Sequence, residues 1–436
     1  MKSKNLDMPK SILLIVGVLV AGLVIGGVFS ATGEAVRKIG DPGGGTGTTT
    51  TIFPNIKVTT DLDIDVEPAI FNNKVIWTNE CCTIFTTQDR GIPLSNIDFC
   101  DISLNGKIGG CLAGDTKLRI ERARYIFTSV YQNFQPDVYE NRIVWTQRKG
   151  NDLNIMMCDL SKNGQVGGCL TNDAKDQITS SFPNVTQVDP AIYNNIIVWR
   201  DITNSNWDIY RCDLTKNGQV GGCLTNNPKT RVTNSTSAQI NPDIYENTII
   251  WVDNNFNGKV AIFMCDLTKN GQPGGCLVGD SKTLVHSSNY FFDHPKIQGN
   301  LIVWSDSVRT LPGTSEIDND IFMCDLTKNG QPGGCLVGDS KTQVTSTGQQ
   351  DIPDVYGNVI VWSSWPDYQY NHNSPNNIFM CNILLNGNKG GCLANDEKIQ
   401  LSYTTNSNWK TAKIYGNNII WTDERNGNVD LYMTQI

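Results

Sequence analysis

The chain alternates short apolar runs with stretches rich in Asn, Gly and Asp, and after residue 30 it never shows the 3.6-residue apolar period of an amphipathic helix. One strand-like phrase returns seven times: PAIFNNKVIW, PDVYENRIVW, PAIYNNIIVW, PDIYENTIIW, PKIQGNLIVW, PDVYGNVIVW and AKIYGNNIIW. Its tryptophans, Trp77, Trp145, Trp199, Trp251, Trp304, Trp362 and Trp421, fall 52 to 68 residues apart. Within each phrase two apolar runs flank a two-residue turn such as Gly357-Asn358, which suits a tight hairpin. A third run follows, such as DIFMCDL at 320 to 326, and then a fourth, such as KIQLSY at 398 to 403. Four strands per unit at this spacing predict an all-β fold, a seven-bladed β-propeller of four-stranded antiparallel blades.

The ends of the chain predict how the ring closes. The seventh unit stops at VDLYMTQI, its third strand, while NIKVTTD at 55 to 61 matches the fourth strand KTQVTST at 341 to 347. The N-terminal strand is therefore expected to complete the last blade, leaving no exposed edge between the termini. Ahead of it, Ile12 to Phe29 form 18 consecutive uncharged residues preceded by Lys2, Lys4 and Lys10. That run is longer than the apolar core of most cleaved signal peptides, so residues 1–30 read as an N-terminal transmembrane helix, with a cleaved signal segment as the alternative. Residues 31–54 read as a flexible Gly/Thr-rich linker and 55–436 as the propeller. The protein is thus expected in the cell membrane, single-pass, with the propeller outside the cytoplasm, or secreted if the segment is cleaved.

Charge and cysteine content narrow the chemistry. A net charge of -8 with only 18% charged residues does not suit nucleic acid. Of fourteen cysteines, twelve form six pairs eleven positions apart: Cys100 and Cys111, Cys158 and Cys169, Cys212 and Cys223, Cys265 and Cys276, Cys324 and Cys335, Cys381 and Cys392. Asn-Gly lies between the two members of every pair and Gly-Gly precedes every second Cys, so the chain can reverse and bring them together. In an exported chain this reads as a disulfide across the base of the hairpin between third and fourth strands, contributing on the order of 3 kcal/mol by loop-closure entropy. Zinc would ask for closer pairs or histidine partners, and His286, His294 and His372 lie near none of them. A redox pair would be closer still. Calcium is a weak option in the stretch DLTKNG, where Asp266 precedes Asn270 but further carboxylates are missing. No cofactor is assigned. Cys81 and Cys82 stand outside the scheme, as a vicinal bridge, a link to another chain, or thiols. Asn184 and Asn234 head Asn-X-Ser/Thr acceptors for glycosylation.

The units over about residues 55–436, with WTDERNGNVDLYM at 421 to 433 as the nearest match, resemble the TolB-like (PD40 or WD40-like) propeller repeats of archaeal and bacterial surface proteins. The resemblance implies a propeller at the cell surface whose role is protein interaction or scaffolding, and it attaches no catalytic residue to the repeat. The Cys-bracketed connection departs from the family's shorter turn.

The connections on the face opposite the Cys pairs vary from blade to blade, and binding residues concentrate in such loops. Trp365, Tyr368, Tyr370 and His372, with Tyr290, Phe291, Phe292 and His294 one blade earlier, form the candidate recognition patch. Asp137, Asp243 and Asp354 could approach the channel but occupy repeat positions, which marks them as structural. The expected function is a membrane-anchored extracellular propeller that binds protein or glycan or acts as a scaffold, without catalysis. The alternatives are an exported carbohydrate-active enzyme, which needs two converging carboxylates, and a purely structural envelope or adhesion component.

Overall fold

The computed structural model describes residues 53–436 except 86–90, 127–128, 181–185, 203–205, 290–291, 311–316, 347, 366–374 and 405–409. The expected membrane helix lies outside the described residues, and among the described residues no helix is long and apolar enough to cross a membrane.

Seven antiparallel sheets form the propeller. In the first blade Ile64–Phe71, Lys74–Phe85, Gly91–Asp101 and Leu118–Glu121 pair in chain order, from an inner strand beside the central channel to an outer one. Six sheets have four strands. The second has five, because Arg124–Ile126 folds back on the start of the inner strand Ser129–Tyr139. Part of the connection read as a loop over 122–136 is therefore a hairpin. Much of 305–320 likewise extends a hairpin, whose strands Leu301–Thr310 and Ile317–Asp325 pair as far as Thr310 with Ile317. Cys81 and Cys82 sit in the strand Lys74–Phe85, where the register shifts between Glu80 and Cys82.

In the last blade Ala412–Tyr415, Asn418–Asp423 and Asp430–Gln435 are joined by Ile56–Lys57, which pairs Ile56 with Met433 and Lys57 with Tyr432. The hydroxyl of Thr59 accepts from the Leu431 amide at 2.9 Å. Thr179, Thr233, Thr345 and Ser402 do the same for the third strands of their own blades.

The tryptophans explain why the units join. All seven are at most 2% exposed. Trp145 packs among Ile76, Ile97 and Ile120 of the blade before it, and Trp77 of the first blade packs among Ile420, Leu431 and Met433 of the last. Each indole removes roughly 150–250 Å2 from water, about 4–6 kcal/mol before entropy is charged against it. One repeated side chain thus supplies the same joint around the ring, including the joint between first and last blades.

All six Cys pairs form disulfides, with Cα atoms 5.0–5.1 Å apart. The loops they close satisfy their own polar groups. In the fourth blade Asp266 accepts from the Thr268 amide at 2.8 Å and Asn270 from the Cys276 amide at 2.9 Å. Asp280 accepts from the amides of Gly271 and Leu277 at 3.1 and 2.9 Å. The Lys282 ammonium donates to the carbonyls of Gly275 and Leu277 at 3.0 and 2.6 Å. Asp266 and Asn270, weighed as calcium ligands, thus face amide donors, and a lysine takes two carbonyls of the loop. The second Gly of each Gly-Gly is a steric necessity, since a Cβ on Gly275 would lie 2.3 Å from the Lys269 carbonyl oxygen.

Candidate functional site

The inner strands line a central cavity of about 530 Å3. Each of the first six inner strands carries a residue followed by proline: Glu67, Gln135, Asp189, Asn241, His294 and Ile352. All six adopt positive φ, between 51° and 55°. The ladder register slips around each of these residues, between Val66 and Ala69 in the first blade. Proline has no amide to leave unpaired on this inner edge, which is why an edge strand tolerates it here. Positive φ at a β-branched residue such as Ile352 is strained, and six copies put a strained ring at the channel end nearest the variable connections.

Hydrogen bonds link the first three members of this ring from blade to blade. Glu67 accepts from the Gln135 amide at 2.7 Å and from the Thr78 hydroxyl at 2.8 Å. The Gln135 side chain accepts from the Asp189 amide at 3.1 Å and donates to the Asp189 carboxylate. Asp189 pairs with Arg200 at 2.5 Å, and the Arg200 guanidinium lies over the Trp207 ring at 4.6 Å. Burial pushes the Glu67 carboxyl above its usual range. Burial also pushes His294 down to about 4, with Lys413 and Lys296 acting in the same direction, so its imidazole is neutral near pH 7.

Two residues deeper, the same strands present Ala69, Asp137, Ala191, Asp243, Lys296, Asp354 and Lys413. Each of the three aspartates accepts from an amide of the next blade: Asp137 from Ile192 at 2.8 Å, Asp243 from Ile297 at 2.9 Å and Asp354 from Ile414 at 2.9 Å. Lys296 reaches Asp243 at 3.2 Å. Burial raises Asp137 to about 6 and lowers Lys413. Burial opposes the charge of Lys296 too, but Asp243, Asp354 and Asp137 outweigh it and hold that ammonium above the usual lysine range.

At the far end Phe71, Tyr139, Tyr193, Tyr245, Tyr356 and Tyr415 form a collar. Successive rings are tilted against each other with centroids 4.4–4.7 Å apart. Gln298 takes the fifth blade's position and accepts from the Gly357 amide at 2.8 Å. Burial raises the Tyr193 and Tyr415 hydroxyls, and contacts with neighbouring tyrosines add to it, so these two stay neutral.

The structure separates the residues of the expected recognition patch. Trp365 is 2% exposed and belongs to the core. His294 belongs to the channel wall. Phe292 begins the inner strand Phe292–Gln298, and Tyr290, Phe291, Tyr368, Tyr370 and His372 lie outside the described residues. Asn184 lies outside them too, whereas Asn234 is exposed. His286 pairs with Asp306 at 2.7 Å. Among the described residues no three His, Cys, Asp or Glu side chains group as a metal site. The ring at Glu67, Gln135 and Asp189 was not among the expected site residues. Its signal was the residue before each proline, one position ahead of the repeated phrase.

The sequence matches no protein-family model and no curated protein. The fold is similar to that of a puromycin hydrolase, at 7% identity over 82% of this chain, with a TM-score of 0.52; the match spans 50% of the hydrolase. It is also similar to an oligogalacturonate lyase, at 10% identity over 88% of this chain and 93% of the lyase, with a TM-score of 0.51. TolB from Acinetobacter baumannii matches at 12% identity over 68% of this chain and 64% of TolB, with a TM-score of 0.39. For the hydrolase and the lyase, at such identities, the likeness is one of fold.

Proposed function

We propose that the protein is a membrane-tethered propeller, held outside the cytoplasm, that binds protein or glycan at the channel mouth formed by Glu67, Gln135, Asp189 and His294 and the variable connections around it. The observation that carries this reading is the commitment of the channel carboxylates: Asp137, Asp243 and Asp354 each hold an amide of the next blade. Acids spent on architecture leave a rigid opening with polar groups at its rim, which suits recognition better than general acid–base chemistry. Six disulfides support export, because such bridges persist in oxidising compartments.

The test uses the full chain in lipid nanodiscs, screened against glycan arrays and as bait for envelope and extracellular proteins. A ligand lost on Glu67→Ala and Asp189→Ala substitution, in variants whose denaturation midpoint is otherwise accounted for, is the expected result. Hydrolysis or lysis of a ligand by the unmodified chain, abolished in the same variants, would replace the binding reading with an enzymatic one.

A further inference from the structure

Sixteen large hydrophobic side chains are exposed among the described residues, and thirteen of them belong to the connections between third and fourth strands, six within a Cys bracket and seven just after one. The loop tips of three consecutive blades carry Ile108, Val166 and Val220, each 76% exposed, and the sixth blade's loop adds Leu384 at 74%. Nothing in the local fold requires this, since the polar groups of these loops already bond to one another. Scattered apolar residues on a surface need no explanation, but their concentration in one repeated element does.

The path of the chain says what they face. The connections between third and fourth strands lie on the same face as the turns between first and second. Phe53 and Pro54 enter there: the Thr434 hydroxyl donates to the Pro54 carbonyl at 2.9 Å, and the Ile436 amide to Asn417 in the last blade's inner turn at 2.9 Å. Residues 30 to 52 are all that separates this point from the apolar stretch ending at Phe29. On the reading of those residues as a flexible Gly/Thr-rich linker, their root-mean-square span would be about 25 Å, short enough for the loop face to reach a membrane entered by the apolar stretch. Charge agrees with apposition. In five loops two lysines balance two acids, and in the third, where Asn227 stands in place of the acid, one lysine is left over; the chain as a whole carries -8.

We infer that the loop face rests on the lipid surface, with the loop tips of the first three blades entering the headgroup layer. This rests on the membrane-tether reading, and it orients the opposite face, with Glu67 and His294 at its channel mouth, away from the membrane. Exposed aliphatic side chains beside lysines are the composition that binds an interface without spanning it.

A protease site inserted between Gly43 and Gly44 of the full chain lets the already folded propeller be cut free after the protein has bound vesicles of phosphatidylcholine and phosphatidylglycerol. The cut propeller is expected to stay with the vesicles in flotation, and Ile108→Asp, Val166→Asp and Val220→Asp together to reduce its retention by about tenfold or more. The control Asn234→Asp, on the opposite face, should change nothing. If the cut wild-type propeller leaves the vesicles as fully as the triple variant, the loop face does not dock, while the tether stands. If the uncut triple variant fails to float and the uncut wild type floats, the tether fails and the loops alone hold the protein. A dimer of the cut propeller in solution that the triple variant dissolves, with no lipid retention, assigns the face to a second copy and overturns the proposal.

Discussion

In the loop of residues 266–282 the polar side chains Asp266, Asn270, Asp280 and Lys282 find partners inside the loop, whereas in the channel wall Asp243 reaches 54 residues along the chain to the Ile297 amide. The loop settles its own polar groups. The channel settles them only when the neighbouring blade is in place. Damage to a loop should therefore remain in one blade, and damage to the channel wall should loosen the ring, because an amide on the next blade loses its acceptor together with the carboxylate.

The largest expected effect tests the channel side. Asp243→Ala leaves Lys296 with one carboxylate fewer and the Ile297 amide unpaired. Breaking a buried pair costs about 3–5 kcal/mol, and the Lys296 side chain keeps 27% exposure, so about 3 kcal/mol is expected. The readout is the denaturant midpoint followed by fluorescence of the buried tryptophans. Adding Lys296→Met should recover much of the loss, since it removes the stranded charge. A midpoint that Asp243→Ala leaves in place would put the channel on the same local footing as the loops.

On the loop side, replacing Cys324 and Cys335 with Ser should cost about 2 kcal/mol, below the ~3 kcal/mol of pure loop closure, because Asp339 and Lys341 still bond the loop. Hydrogen exchange should locate the change. The amides of Gly330 and Leu336 are expected to exchange faster while the amides of the next blade's loop, Gly387 and Leu393, do not. Acceleration spreading to those amides would contradict the autonomy of the loop.

Acid sharpens the contrast, because two channel groups titrate there with opposite signs. Asp137, at about 6 in the fold against 3.8 ordinarily, binds its proton more tightly when folded, so it adds stability as the pH falls from about 6 to 4. His294, at about 4 against 6.5, binds its proton less tightly when folded, so it removes stability as the pH falls from 6.5 to 4. The two should largely cancel in the wild type. Asp137→Asn should then lose about 2 kcal/mol more than the wild type between pH 6.5 and 4.5, and His294→Asn should gain a similar amount. Asn suits the second position because Asn241 already holds the same positive φ one blade earlier. Parallel pH profiles for all three proteins would remove these groups from the account.

The same division explains what could be read from the residues. The blades, their number and the six bridges are repetitive, so each was written several times: Trp77 to Trp421 marked the joints and Asn-Gly marked the loop reversals. Asp137, Asp243 and Asp354 were legible as architecture for that reason. The strained ring was harder to see, because Glu67, Gln135, Asp189, Asn241, His294 and Ile352 share a backbone conformation and no chemistry. His294 looked like part of an aromatic loop because Tyr290 and Phe291 precede it, but it sits at positive φ in a register shift of the inner strand, in the channel wall. Trp365 looked exposed because polar residues surround it in the chain, although its strand Val359–Trp365 carries it into the core.

The smallest expected effect concerns a contact that crosses the division. In the second and third blades a hydroxyl of the loop, Thr171 or Thr225, donates to a carbonyl on the outer strand of the preceding blade, Arg119 or Gln177, at 2.5 Å. Where the loop has Ala113 instead, the donor is on the strand, and Thr60 bonds the Ala113 carbonyl at 3.2 Å. The fourth and fifth blades carry Val278 and Val337 at this position, 45% and 55% exposed, so their loops have no hydroxyl to reach back with. Thr225→Val should reproduce that arrangement and cost about 0.5 kcal/mol, the low end for a hydrogen bond at an exposed site. Val337→Thr should return a similar amount. Both are read as shifts in the same denaturant midpoint. A loss several times larger in Thr225→Val would mean that the loops brace the ring after all, and that the blades of the first half are held together from both ends.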